Sequence, residues 1–195
     1  MIIVTGAGAQ ENRLSEGERM AEAKPEILFP KEVIEGRVRE LAAQISQDYA
    51  GKELLIVGIL NGAFIFMADL IRWLDVPCRV DFVRAASYGC GSVSSGEVRI
   101  TKDLEAPIAG RDVLIVEDIV DTGITLSRLM EVFRERRPAS LRVCAFLDKT
   151  ERRRVPFAAD YVGFFIPDRF VVGYGLDYNE KFRFLPDVCV LEDIA

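Results

Sequence analysis

Apolar positions along this chain follow two patterns in a regular order, helical spacing in some segments and short continuous runs in others. Val33, Ile34, Val38, Leu41, Ala42 and Ile45 recur three and four residues apart with charges between them, and Pro30 suits a first turn, so a helix is predicted from about residue 30. LLIVGIL, residues 54–60, reads as a buried strand. Asn61 and Gly62 then turn the chain into the helical pattern AFIFMADLIRWL, which returns it to a second strand, CRVDFVRAASY. DVLIVEDIV, TLSRLMEVFRERR and SLRVCAFLDKT give strand, helix and strand, a βαβ unit with a right-handed crossover, and YVGFFIP and DVCVLED supply later strands.

This alternation predicts an α/β fold with a mainly parallel twisted sheet flanked by helices, and 195 residues suit one such domain with a small appendage. GCGSVSSGE, residues 89–97, joins two strand-like runs as a long hairpin connection, and a lid is its functional reading. MIIVTGAGAQE resembles a dinucleotide fingerprint only superficially, since Glu11 stands where a third small residue belongs. With the polar NRLSEGERMAEAKPE that follows, residues 1–25 read as a flexible extension, and the start lacks the basic and apolar regions of a signal peptide.

Composition narrows the chemistry. The net charge of -6 argues against a general nucleic-acid binder, and Arg152, Arg153 and Arg154, the only basic cluster, read beside Glu151 as a solvated loop face. No run approaches the roughly 18 apolar residues of a membrane span. Cys78, Cys90, Cys144 and Cys189 show no CxxC pair and fall mainly in apolar strands, which points to reduced thiols and a cytoplasmic protein. The chain contains no histidine, which removes Ser-His-Asp and Cys-His nucleophiles and His-ligated zinc together. Acid–base work then falls to carboxylates, lysine or tyrosine, and a metal should be a hard cation held by oxygen, which points to magnesium.

The stretch VLIVEDIVDTGITL, residues 113–126, sets three carboxylates and a glycine between a strand and a helix. Ligands of such sheets sit beyond the carboxyl ends of the strands, where Glu117, Asp118 and Asp121 emerge. The segment DTGIT opens a helix whose backbone N–H groups, with the hydroxyls of Thr122 and Thr125, can surround a phosphate without a cation, and Gly123 allows close approach. The acids then serve another part of the ligand. Carboxylates accept bonds from sugar hydroxyls and attract magnesium, so a phosphorylated sugar fits. A Walker A loop does not, because Ile124 stands where its lysine would fall.

VLIVEDIVDTGITL resembles the phosphoribosyl-pyrophosphate motif of phosphoribosyltransferases, in their hypoxanthine-guanine branch. LNGAFIFMADL, ASYG, LDKT and IPDRFVVGYGLDYNEKFR match in the same order, so the resemblance spans about residues 30–193. It implies a type I phosphoribosyltransferase fold over residues 26–195, with a small C-terminal hood at about 160–195 and a flexible lid hairpin. It also implies purine salvage: phosphoribosyl pyrophosphate and a 6-oxopurine, hypoxanthine and/or guanine, give the nucleoside monophosphate and pyrophosphate with Mg2+ as cofactor. A homodimer or homotetramer is the expected assembly, for which AFIFMADLIRWL carries more apolar residues than one helix face needs.

Residue by residue, the resemblance places Glu117 and Asp118 at the ribose hydroxyls and the metal, and Asp121 as the catalytic proton acceptor from the purine. Thr122, Gly123 and Thr125 would cradle the 5'-phosphate, and Asn61 and Gly62 the pyrophosphate. Ser87 and Tyr88 belong to the closing loop. Lys149 would face the purine 6-oxo group, Phe170 would stack on the ring and the Val171 backbone would read its edge. Asp177 would hold a second magnesium, directly or through water, and Arg183 would contact pyrophosphate. Asn61 departs from the pattern, which commonly has a basic residue before the glycine. Two alternatives stay open: a regulator on the same fold that binds phosphoribosyl pyrophosphate or RNA without turnover, and a transferase acting on pyrimidines.

Overall fold

A computed structural model describes residues 25–87 and 98–191. Along the chain it forms β1 (Glu26–Phe29), α1 (Lys31–Asp48), β2 (Leu54–Ile59), α2 (Phe64–Trp73), β3 (Cys78–Ser87) and β4 (Val98–Lys102). There follow β5 (Asp112–Val120), α3 (Ile124–Glu135), β6 (Ser140–Asp148), a single 3-10 turn at Thr150–Arg152, β7 (Tyr161–Phe165), β8 (Val171–Val172) and β9 (Val188–Val190). The elements expected from periodicity are thus present with their ends moved by a residue or a few.

The main sheet has the order β4-β3-β2-β5-β6-β7. Pairing is parallel from β3 through β7, and only β4 runs antiparallel, against β3. Because side chains alternate across a strand, β2, β5 and β6 feed two cores. Leu54, Ile56, Leu114, Val116, Cys144 and Phe146 pack in one with α1 and α2. Leu55, Val57, Val113, Ile115, Val143 and Ala145 pack in the other with Leu126, Leu129, Met130 and Phe133 of α3. Continuous apolar runs are what a sheet covered on both faces requires, which is why β2 is buried along its whole length.

Of the two late strands, only β7 joins the main sheet. The other, β9, pairs antiparallel with both β1 and β8 in a separate three-stranded sheet that forms the core of the hood. The hood therefore borrows β1 from the start of the described chain, which periodicity did not reveal, because four half-exposed residues carry no readable alternation. β7, inside the range given to the hood, lies against β6. Cys78, Cys144 and Cys189 are free thiols, Cys144 and Cys189 buried, and burial pushes each of these thiols up. Residues 1–24, Tyr88, Cys90 and the lid stretch lie outside the described residues.

Candidate active site

The strand order reverses between β2 and β5: the chain leaves β2 outward to β3 on one side, and leaves β5 outward to β6 on the other. Such a switch point opens a crevice beyond the strands' carboxyl ends. It sets the turn after β2 beside the end of β5, and the result is a cavity of about 310 Å³. Asn61 and Gly62 line it from β2's turn, Glu117, Asp118 and Asp121 through Gly123 from β5 and its loop, Thr125 from α3, and Asp177 and Arg183 from the hood. The peptide bond between Leu60 and Asn61 is cis.

Two glycines make this arrangement possible. Gly62 lies so close to β5 that a Cβ there would sit 1.5 Å from Asp118 Oδ2. Gly123, the residue that caps α3, has a left-handed backbone with φ of 77°. Gly62→Ala is therefore expected to displace the acidic pair and lower kcat/KM by roughly 10²-fold, the loss that about 1 Å of misplacement produces. Steady-state kinetics on a variant shown folded by circular dichroism checks this; near-native kinetics would mean the turn yields without moving Asp118.

Glu117 and Asp118 are adjacent carboxylates, each partly buried near the end of β5. Burial, then the neighbouring Asp118 charge, raises the Glu117 carboxyl well above the usual range, and burial raises Asp118 despite its bond from the Ile119 N–H at 2.9 Å. Glu117 Oε2 is buried with no protein partner. The chemistry of such a pair suits a hard cation or sugar hydroxyls, each of which would offset its charge. No three carboxylates gather into a metal cluster among the described residues, so ligand oxygens would have to complete the coordination. Asp177, on the cavity wall, meets Arg183 at 2.7 Å and accepts the Glu180 N–H at 2.8 Å.

The raised values carry a sign for stability. The folded pair retains protons that the unfolded chain has released, so its contribution is present at low pH and is lost as pH rises from the ordinary carboxylate range through the raised values. Glu117→Gln should therefore raise the melting temperature of ligand-free protein at pH 8, by roughly 2–4 °C for each kcal/mol relieved. It should also narrow the difference between pH 5 and pH 8. A lower melting temperature at pH 8 would contradict the sign.

Lys149, Phe170 and Val171 lie outside this cavity wall. Lys149 follows β6, is 7% exposed, and its Nζ lies 3.7 Å from Asp168. Its backbone N–H binds the Val120 carbonyl at 2.9 Å, which joins the ends of β5 and β6. Phe170 is exposed and meets Tyr178 edge to face at 5.3 Å, whereas Val171 is buried in β8. Ser87 ends β3.

The arginine cluster corrects its sequence reading in part. Arg152 and Arg154 are exposed, as a solvated face requires, but Arg152 Nε lies 2.7 Å from Asp121 Oδ1, and Arg153, largely covered, binds the Asp121 carbonyl and the Asp148 carboxylate, each at 2.6 Å. The Arg154 N–H reaches the Thr122 carbonyl at 3.0 Å. Asp148 and Asp168 belong to the same constellation, and the signal available was the position of the cluster, just past a strand's carboxyl end.

Comparison with known proteins identifies the family. The family model for the phosphoribosyl transferase domain matches residues 26–179. The hypoxanthine phosphoribosyltransferase of Salmonella typhimurium is 50% identical over 165 residues, 84% of this chain and 93% of that protein. The hypoxanthine-guanine phosphoribosyltransferase of Bacillus subtilis is 48% identical over 166 residues, 85% of this chain and 92% of that one. A crystal structure of the hypoxanthine phosphoribosyltransferase of Staphylococcus aureus superposes with a TM-score of 0.85 at 45% identity, covering 91% of this chain and 97% of the other. A family model that matches most of the chain, and relatives this similar over nearly their whole length, mean that the chain belongs to the phosphoribosyltransferase family.

Proposed function

We propose that this chain transfers the 5-phosphoribosyl group from phosphoribosyl pyrophosphate to hypoxanthine and/or guanine, releasing IMP or GMP and pyrophosphate. The observation that carries this reading is the Glu117–Asp118 pair lining a cavity beside a helix start, which suits a ligand with sugar hydroxyls at one end and a phosphate at the other. Glu117 and Asp118 would hold the ribose hydroxyls. The α3 start, with Thr122, Gly123 and Thr125, would hold the 5'-phosphate, while Asn61, Gly62 and Arg183 receive the pyrophosphate end. Asp121 would take the purine proton, and Lys149 would donate to the 6-oxo group, with Phe170 on the ring and the Val171 backbone at its edge. Ser87 and Tyr88 would close over the site.

Glu117, Asp118 and Asp177 would hold Mg2+, which would supply positive charge to offset that of the departing pyrophosphate. As the anomeric carbon loses the pyrophosphate oxygen and gains the purine nitrogen, positive charge develops on the sugar beside these carboxylates, which stabilise it. The test is turnover of purified protein with hypoxanthine, guanine, xanthine and adenine, phosphoribosyl pyrophosphate and magnesium. Adenine should be poor, because its amino group presents donors where Lys149 also donates. No turnover with any purine would reject the reading.

The protein would work in the cytoplasm; no helix among the described residues is long and apolar enough to cross a membrane. It would assemble as a homodimer or homotetramer. Phe64 and Trp73, at the two ends of α2, are 45% and 46% exposed, apolar surface that such an assembly would cover. Light scattering at micromolar protein should give at least a dimer; a monomer only would reject the assembly.

A further inference from the structure

We propose, resting on that reading of the site, that Arg152 is a positioning residue that aims the Asp121 carboxylate and ties it to the lysine that reads the purine. Arg152 sits between two acids. Its Nε is 2.7 Å from Asp121 Oδ1, and its NH1 is 3.2 and 3.3 Å from the two Asp168 oxygens. Asp168 in turn lies 3.7 Å from Lys149 Nζ. One guanidinium therefore joins the proton acceptor after β5 to the recognition lysine after β6, two groups that would act on the same purine ring.

The backbone around this cation is fixed from several directions. The Arg152 N–H binds the Lys149 carbonyl at 3.0 Å, and Arg153, largely buried, grips the Asp121 carbonyl beside it. The Asp121 backbone is thus held by Arg153, which leaves its side-chain direction to Arg152. Arg152 and Asp121 are 41% and 42% exposed, and ion pairs at that exposure add little to stability. Its planar fork can address two carboxylates at once, which the point charge of lysine does less well. A residue that contributes little to folding but fixes a carboxylate within reach of the substrate acts on rate.

The test is epistasis. With saturating substrates, Arg152→Ala should lower kcat roughly 10- to 100-fold, the scale of losing a charge-assisted contact, with the KM for phosphoribosyl pyrophosphate unchanged. Arg152→Lys should recover part of the loss. In an Asp121→Asn background Arg152→Ala should cost almost nothing more, because the group it aims has already been removed. An equal loss in both backgrounds, or no loss in either, would overturn the proposal. Should Arg152→Ala fail to fold, Arg152→Gln carries the same test: it keeps a long polar side chain but removes the cation, and its kcat loss should likewise vanish in the Asp121→Asn background. Wild-type protein inactive with every purine would reject the proposed function itself, whereas an active wild type with a neutral Arg152→Ala rejects this assignment alone.

Discussion

Asp121→Asn is expected to cut turnover roughly 10²–10⁴-fold, the range typical of losing general-base help, while affinity for phosphoribosyl pyrophosphate with magnesium is retained. The chain has no histidine, so a proton leaving the purine needs a carboxylate, lysine or tyrosine to receive it. Two elements fix the position of Asp121: it follows β5, which carries the acidic pair near its end, and it precedes Gly123, which caps α3. Asparagine is nearly isosteric, and its amide oxygen can still face the Arg152 guanidinium, now 2.7 Å from Asp121 Oδ1. The backbone carbonyl that Arg153 grips is untouched by the change. Turnover measured beside calorimetric affinity separates the outcomes. Unchanged turnover would move the proton to another group or to water, and loss of both would make Asp121 structural.

Lys149→Ala is expected to weaken purine use by roughly 10- to 100-fold in kcat/KM, the scale of a bond between a charged donor and a carbonyl, with binding of phosphoribosyl pyrophosphate unchanged. Lys149 is 7% exposed, yet its nearest carboxylate, on Asp168, is 3.7 Å away, a weak contact for a cation so far out of water. A 6-oxo group would give that ammonium a nearer acceptor. The β5–β6 link should survive, since it uses the Lys149 backbone N–H. Kinetics with the purine varied at saturating phosphoribosyl pyrophosphate, set against calorimetry with the latter alone, decides it. Equal losses for both substrates would remove Lys149 from purine recognition.

Much of the site was legible because its chemistry is local in the chain. Glu117, Asp118, Asp121, Thr122, Gly123 and Thr125 fall within nine residues, and a strand followed by a glycine-opened helix places them by period and turn alone. Asn61 and Gly62 were readable as a turn, though their meeting with Asp118 was not: it depends on β2 lying beside β5, a pairing between segments far apart in sequence. The arginine cluster shows the same limit from the other side. As sequence it is three cations beside a glutamate, which water solvates well; only the packing of the β6 turn against the β5 loop gives Arg152 and Arg153 their acidic and carbonyl partners.

By itself the sequence determined the order of strands and helices, the parallel character of a sheet covered on both faces, and the acidic, histidine-free character of the site's chemistry. These follow from periodicity, turn residues and composition, which act over a few neighbouring residues or over the chain as a whole. The tertiary structure decided which chain ends meet in the small sheet, that Asp177 faces Arg183, that burial raises the Glu117–Asp118 pair, and that a single arginine stands between Asp121 and Asp168. Each of these depends on pairing, desolvation or a charge that the folded backbone brings together, and none exists until the chain has folded.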